Sequence, residues 1–158
     1  TDWIHQRLLS IRVRNELTTE WQERGVQQGK EYAILTDEIT KAWSGMTTRQ
    51  YKNLKGLKKE NLRDNMSTTE LVLNMLAETS TKDISAAVHP AGFEESRRVA
   101  RRGGEVAGIA RKALEEQTGA LVVTSMKAAD FHNLLTSIIE AAPALIEEED
   151  GEDTDNNE

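Results

Sequence analysis

An all-α fold, multi-helix and somewhat elongated, is what the sequence predicts, and three observations carry the prediction. Apolar residues recur at helical rather than alternating spacing along most of the 158 residues. The one short β-prone run, Leu121-Val122-Val123, is too isolated to find strand partners in this chain. Apolar residues reach only 37% and aromatic residues 4%, so a thick core is hard to build. Elongated helical packing, or a partner covering exposed faces, follows from that shortage.

The elements follow in order. From Asp2 to Arg24, Ile4, Leu8 and Ile11, then Val13, Leu17 and Trp21, keep apolar groups near one helical side, and Gly25 is placed to end the helix. Lys30 to Trp43 repeats the pattern with Tyr32, Ile34, Leu35, Ile39, Ala42 and Trp43, closed by Ser44-Gly45. Thr47 or Thr48 can cap a short helix bearing Tyr51 and Leu54 that stops near Gly56. Lys58 to Asn65 is polar, enough for a turn or two of helix. Ser67-Thr-Thr-Glu70 reads as a capping box: the serine hydroxyl accepts from the amide three residues on, and the glutamate reaches back. The helix it opens is expected to use Leu71, Val72, Met75 and Leu76 as its apolar face and to fray over Thr79 to Ser85, ahead of His89-Pro90. Phe93 to Gln117 predicts another helix with Val99, Val106, Ile109, Ala110 and Leu114 apolar, kinked or broken at Gly103-Gly104. Thr124 or Ser125 can cap a last helix whose Phe131, Leu134, Leu135, Ile138, Ile139 and Ala142 form the cleanest apolar stripe in the protein. This divides the chain into an N-terminal helical subdomain, 1–88, with a helix-turn-helix-like segment at 31–57, a C-terminal helical subdomain, 89–146, and an acidic tail, 147–158, expected to be disordered.

Charge is unevenly distributed. The net charge is −7, yet the tail alone carries eight acids and no base, which leaves the body near +1. Within the body, Lys41 to Arg63 holds seven bases against one acid and Arg97 to Lys112 six against one. No cysteine is present, which excludes disulfides and thiolate metal sites. No run approaches the roughly 18–20 apolar residues that span a bilayer, so a soluble, cytoplasmic chain without membrane contact is expected. The chain opens at Thr1 inside an expected helix, which points to a larger parent.

Catalytic patterns are missing. His5, His89 and His132 fall in three segments without ligand spacing, Glu94-Glu95 and Glu115-Glu116 are adjacent and so project from different helical sides, and the glycines from Gly103 to Gly108 lack the lysine of a phosphate-binding loop. No enzyme activity, metal or cofactor is expected. The basic stretches are the functional candidates. Helix, Ser44-Gly45-Met46 turn and a short helix with Arg49, Gln50, Lys52, Asn53 and Lys55 approximate a helix-turn-helix, with side chains suited to phosphates and base edges. Arg97, Arg98, Arg101 and Arg102 set two arginine pairs one turn apart, a patch that nucleic acid, an acidic partner or the acidic tail could occupy.

Two long blocks resemble a known family. Tyr32 to Gly45, Tyr51 to Met66 and Thr69 to Glu78, then Arg102 to Gly119 with Val122 to Ser125, look like the C-terminal region of the DNA-damage-inducible protein D family and of related prophage BRO-family antirepressors; the likeness spans roughly residues 8 to 131. The resemblance implies a role in the SOS response or prophage control, through a repair or repressor protein such as a RecA-like recombinase. Family members carry a BRO N-terminal domain, associated with DNA binding, that this chain lacks, and no catalytic motif comes with the family. The loop of Tyr51, Lys55, Gly56, Leu57, Lys58 and Lys59 falls within the matching blocks.

The expected function is therefore a non-enzymatic regulatory or interaction module, with Arg49, Lys52, Lys55, Lys58, Lys59, Arg63, Arg97, Arg98, Arg101 and Arg102 as candidate contacts to a partner protein or nucleic acid. Direct DNA binding through 41–63 and 97–112 is one alternative. A homo-oligomeric scaffold for the missing N-terminal domain is the other.

Overall fold

The computed structural model describes residues 2–127, and the last helix expected over 131–142 and the acidic tail lie outside them. The described residues form five α-helices and no strand: α1 (Asp2–Glu23), α2 (Lys30–Ser44), α3 (Thr48–Leu54), α4 (Thr68–Val88) and α5 (Gly92–Thr118), with a single 3-10 turn at Arg63–Asn65. The all-α expectation holds. Leu121-Val122-Val123 forms no strand; Val123 instead buries its side chain in the core.

Local chemistry starts and stops these helices. Thr47 caps α3 in a capping box with Gln50, and Ser67 caps α4 in one with Glu70. Gly45 closes α2 in the left-handed region at φ 83°, where a residue with a Cβ is disfavoured. His89 ends α4 in the same region at φ 53°, the one non-glycine there among the described residues.

α4 is the central helix. α5 folds back along it, and α1 packs on it in parallel, as Arg14 to Glu78, Lys82 to Glu16 and Ser85 to Glu20 contacts advance together. α2 lies against both α4 and α5. The core draws on every helix, from Leu17 and Trp21 through Leu35, Ile39, Trp43 and Tyr51 to Ala77, Ala100 and Ala107. Trp21 stacks at a tilt on Tyr32 with ring centres 5.3 Å apart, and Trp43 meets Tyr51 edge-on at 6.0 Å. The His89 cap thus falls between two helices that share one core.

Four sequence expectations are corrected. α4 does not fray over Thr79 to Ser85; it stays helical to Val88, with Thr81 and Ser85 fully buried. Its inward face matches the expected one in part: Leu71 and Met75 are buried, but Val72 and Leu76 are exposed, and Glu70, Asn74, Glu78, Thr81 and Ser85 point into the protein as well. α5 neither kinks nor breaks at Gly103-Gly104. A Cβ on Gly103 would lie 2.0 Å from Thr81 Oγ1, one on Gly104 2.6 Å from Ala42 Cβ, and one on Gly108 2.7 Å from the Ala42 carbonyl oxygen. The glycines let α5 approach α4 and α2 closely. Finally, α1 has two apolar faces: Leu17 and Trp21 are buried, while Ile4, Leu8 and Ile11 remain about half exposed at its N-terminal end.

Candidate binding surface

The buried polar face of α4 decides which basic residues remain available. Glu70, brought inward by its own capping box, accepts from Lys55 Nζ at 2.9 Å and from the Tyr51 hydroxyl in a very short contact. Burial, followed by the charge and hydrogen bond of Glu70, pushes the Tyr51 phenol far above its ordinary value, so the proton stays on Tyr51. Lys55 is completely buried and also donates to the carbonyls of Thr124, at 2.9 Å, and Met126. Its charge is held inside the protein. Two turns further along α4, Glu78 receives both Arg63 Nη1 and Nη2, at 2.9 and 2.6 Å, together with Arg14 Nη1 at 3.1 Å. Asn74, one turn before Glu78, accepts from Trp43 Nε1 at 3.2 Å and donates to Glu78 Oε1 at 3.5 Å.

The second basic stretch is divided in a similar way. Arg97 and Arg101 donate to the two oxygens of Glu38 on α2, at 2.9 and 3.3 Å. Partial burial would raise the Glu38 carboxyl, but these hydrogen bonds and charges outweigh it and hold the group below its ordinary value. Arg98 and Arg102 face solvent on the outer side of α5, away from the residues that bury.

Sorting the ten sequence candidates by position therefore separates them. Lys55 and Arg63 serve the interior. Arg97 and Arg101 tie α5 to α2. Arg49, Lys52, Lys58 and Lys59 enter none of the ion pairs among the described residues. Three of them, Arg49, Lys52 and Lys58, line one open groove of about 650 Å³ between α2, α3 and the loop after it, with Arg14, Asp37 and Leu57. Lys52 also borders a smaller recess of about 180 Å³ walled by Thr36, Thr40, Thr48, Asn61, Arg63 and Asn74. Asp37 accepts from the Thr48 amide at 2.8 Å, which fixes the start of α3 against α2, and Leu57 buries beneath it.

Two of the helix-turn-helix candidates are occupied elsewhere: Gln50 accepts from the Thr47 amide within its cap, and Lys55 points to the core. Sequence reasoning missed Arg14, which folding brings 22 positions across to donate to Thr36 Oγ1 at 2.7 Å. Burial, with repulsion from Arg63, lowers its pKa against the attraction of Glu78. The available signal was an arginine between Val13 and Leu17, on the side of α1 that carries the core residues.

Among the described residues no three histidine, aspartate or glutamate side chains converge as a metal site, and no helix is long and apolar enough to cross a membrane. No protein-family model, curated protein or solved structure matches this chain.

Proposed function

We propose that this chain is a non-enzymatic interaction module that binds an acidic face of a partner protein in the groove lined by Arg49, Lys52 and Lys58. The proposed partner is a repair, recombination or repressor protein, a reading supported by the sequence resemblance to the DNA-damage-inducible protein D and BRO families, and a RecA-like recombinase is the first to test. The observation that carries the reading is the convergence on one groove of three cations that have no ion-pair partner among the described residues, while Lys55, Arg63, Arg97 and Arg101 are engaged in ion pairs within the fold.

Two features favour a protein over a DNA duplex. A duplex-binding surface commonly makes about 6–10 phosphate contacts, more than this groove supplies. Its lining is mixed, with the Asp37 carboxylate, Ala33 and Leu57 among the cations. The recess beside Lys52, at about 180 Å³, is smaller than the roughly 300–1,000 Å³ of small-molecule sites. It suits one acidic side chain of a partner, with Lys52, the Glu78-paired Arg63 and neutral hydroxyl and amide groups around the carboxylate.

Titration of the chain against recombinase filaments on single-stranded DNA, and against single-stranded and duplex DNA alone, at about 50 and 200 mM salt, tests the proposal. Filament binding is expected to weaken at least about tenfold in Arg49→Ala/Lys52→Ala/Lys58→Ala, worth about 1.4 kcal/mol. Tight binding to naked duplex with a steep salt slope would favour direct DNA recognition instead.

A further inference from the structure

The described chain ends beside the groove. After α5, the Val122 amide donates to Glu115 Oε2 at 3.0 Å, Val123 buries, and Lys55 Nζ holds the Thr124 and Met126 carbonyls. The Lys127 side chain then reaches, through its Cε, within 3.9 Å of the position a side chain on Gly56 would take, one residue before Leu57 and two before Lys58 of the groove. The root of the remaining chain is thereby pinned at the C-terminal end of α3.

Beyond that root lie nineteen residues, 128–146, and then twelve, 147–158, that carry eight acids and no base. Nineteen residues reach about 28 Å at helical rise and about 60 Å fully extended. At helical rise the seven residues of α3 measure about 10 Å. Either spacer lets the acidic segment fold back on the groove unstretched. Charge complementarity is strong: eight carboxylates stand against Arg49, Lys52, Lys58 and the adjacent Lys59, opposed by the single acid Asp37.

We infer that the acidic segment 147–158 is an intramolecular occupant of the Arg49–Lys52–Lys58 groove and competes there with any external acidic partner. The inference rests on the groove being the binding site proposed above, and it adds regulation to that site. A tether of this length gives an effective concentration of order 1 mM. A segment whose intrinsic dissociation constant is about 100 µM then occupies the groove most of the time and weakens an external ligand about tenfold. A partner must outcompete the tail, so the groove accepts only ligands more acidic or better shaped than its own chain.

The test uses the full chain and a full-length variant whose eight tail acids are replaced by Asn or Gln, each with and without Arg49→Ala/Lys52→Ala/Lys58→Ala. The probe is a fluorescein-labelled synthetic peptide of residues 147–158, followed by anisotropy at about 50 mM salt, where screening is weak. The neutral-tail chain is expected to bind the peptide about tenfold more tightly than the native chain, and the groove substitutions to abolish binding by both. Equal binding by the two tails, still lost on groove substitution, would overturn the intramolecular occupant and leave the groove as a site. Absence of binding by either chain would overturn both, and binding that survives the groove substitutions would place the tail elsewhere and overturn the inference.

Discussion

Gly103→Ala sets two well-known effects against each other, and the structure says which should win. Alanine in the middle of a helix is favoured over glycine by about 0.5–1 kcal/mol, so α5 alone would gain. Against that, the new Cβ would lie 2.0 Å from Thr81 Oγ1 and 2.6 Å from both Thr81 Cα and Thr81 N. Ordinary carbon contacts begin near 3.5 Å, so α4 and α5 must separate by about 1 Å. The colliding atoms include backbone, which no rotamer change can move. Overpacking of this kind costs typically about 1–3 kcal/mol, and the upper part of that range applies here, for a net loss of about 1–2 kcal/mol. With a urea slope of about 2 kcal/mol per M, the midpoint should fall by about 0.5–1 M, followed by helical circular dichroism and the fluorescence of buried Trp21 and Trp43. Thr81→Ala should not rescue the variant, because it leaves Thr81 Cα and N in place. Ala113→Gly, on the exposed side of α5, calibrates propensity alone at about 1 kcal/mol lost. A Gly103→Ala midpoint equal to or above wild type would refute the close packing of α5 on α4.

The remaining predictions address the polar interior and one cap. Lys55→Met leaves the Glu70 carboxylate buried with only Tyr51 and its own capping amide, and should cost about 3–5 kcal/mol in urea unfolding, with Lys55→Met/Glu70→Gln recovering a measurable part. Glu38 and Glu115 both sit below their ordinary pKa, the first through Arg97 and Arg101, the second chiefly through the Val122 amide. A carboxyl depressed on folding contributes stability above its unfolded pKa and loses it as pH falls through the folded value. Thermal stability should therefore decline below the ordinary carboxylate range, and Glu38→Gln should flatten part of that decline. His89→Gly relieves a left-handed residue at φ 53° that is otherwise exposed, and should raise stability by about 0.5–1 kcal/mol despite the greater freedom of glycine in the unfolded chain.

The helices were legible in the sequence because their ends are written locally. Ser67 with Glu70, Thr47 with Gln50, and Gly45 after Ser44 are backbone signals that need no tertiary information. Faces were less legible. On α4 the apolar residues Leu71, Val72, Met75 and Leu76 suggest one side, yet only Leu71 and Met75 of these bury, and the helix also buries Glu70, Asn74, Glu78, Thr81 and Ser85, since each finds a partner on another element or its own backbone. Those partners lie between 4 and 65 positions away, and apolar periodicity cannot announce them. Gly103-Gly104 misled for a related reason. Propensity marks a glycine pair as a weak point, whereas contact with Thr81 and Ala42 makes the missing Cβ the condition for packing.

The same buried polar face explains why a count of basic residues overstates the binding surface. Lys55 and Arg63 belong to a stretch of seven bases, but Glu70 and Glu78, two turns apart on one α4 face, draw them inward. Of the five bases that remain in that stretch, Arg49 and Lys52 on the outer side of α3 and Lys58 beyond it gather around a single groove, while Lys41 and Lys59 lie outside its lining. Lys55 has a second consequence, because the Nζ that neutralises Glu70 also binds the carbonyls of Thr124 and Met126. One buried amine thus holds the start of α4 and the root of the C-terminal segment together. Any change that weakens the Glu70 pair should also loosen the segment at Thr124–Met126 from which the chain toward the acidic tail departs, so the internal ion pair and the occupancy of the groove are coupled. Lys55→Met offers a direct check: after correction for the unfolded fraction, it should raise peptide binding by the native-tail chain toward that of the neutral-tail chain. If the two differ as much as they do in wild type, the anchoring of the tail root has no part in occupying the groove.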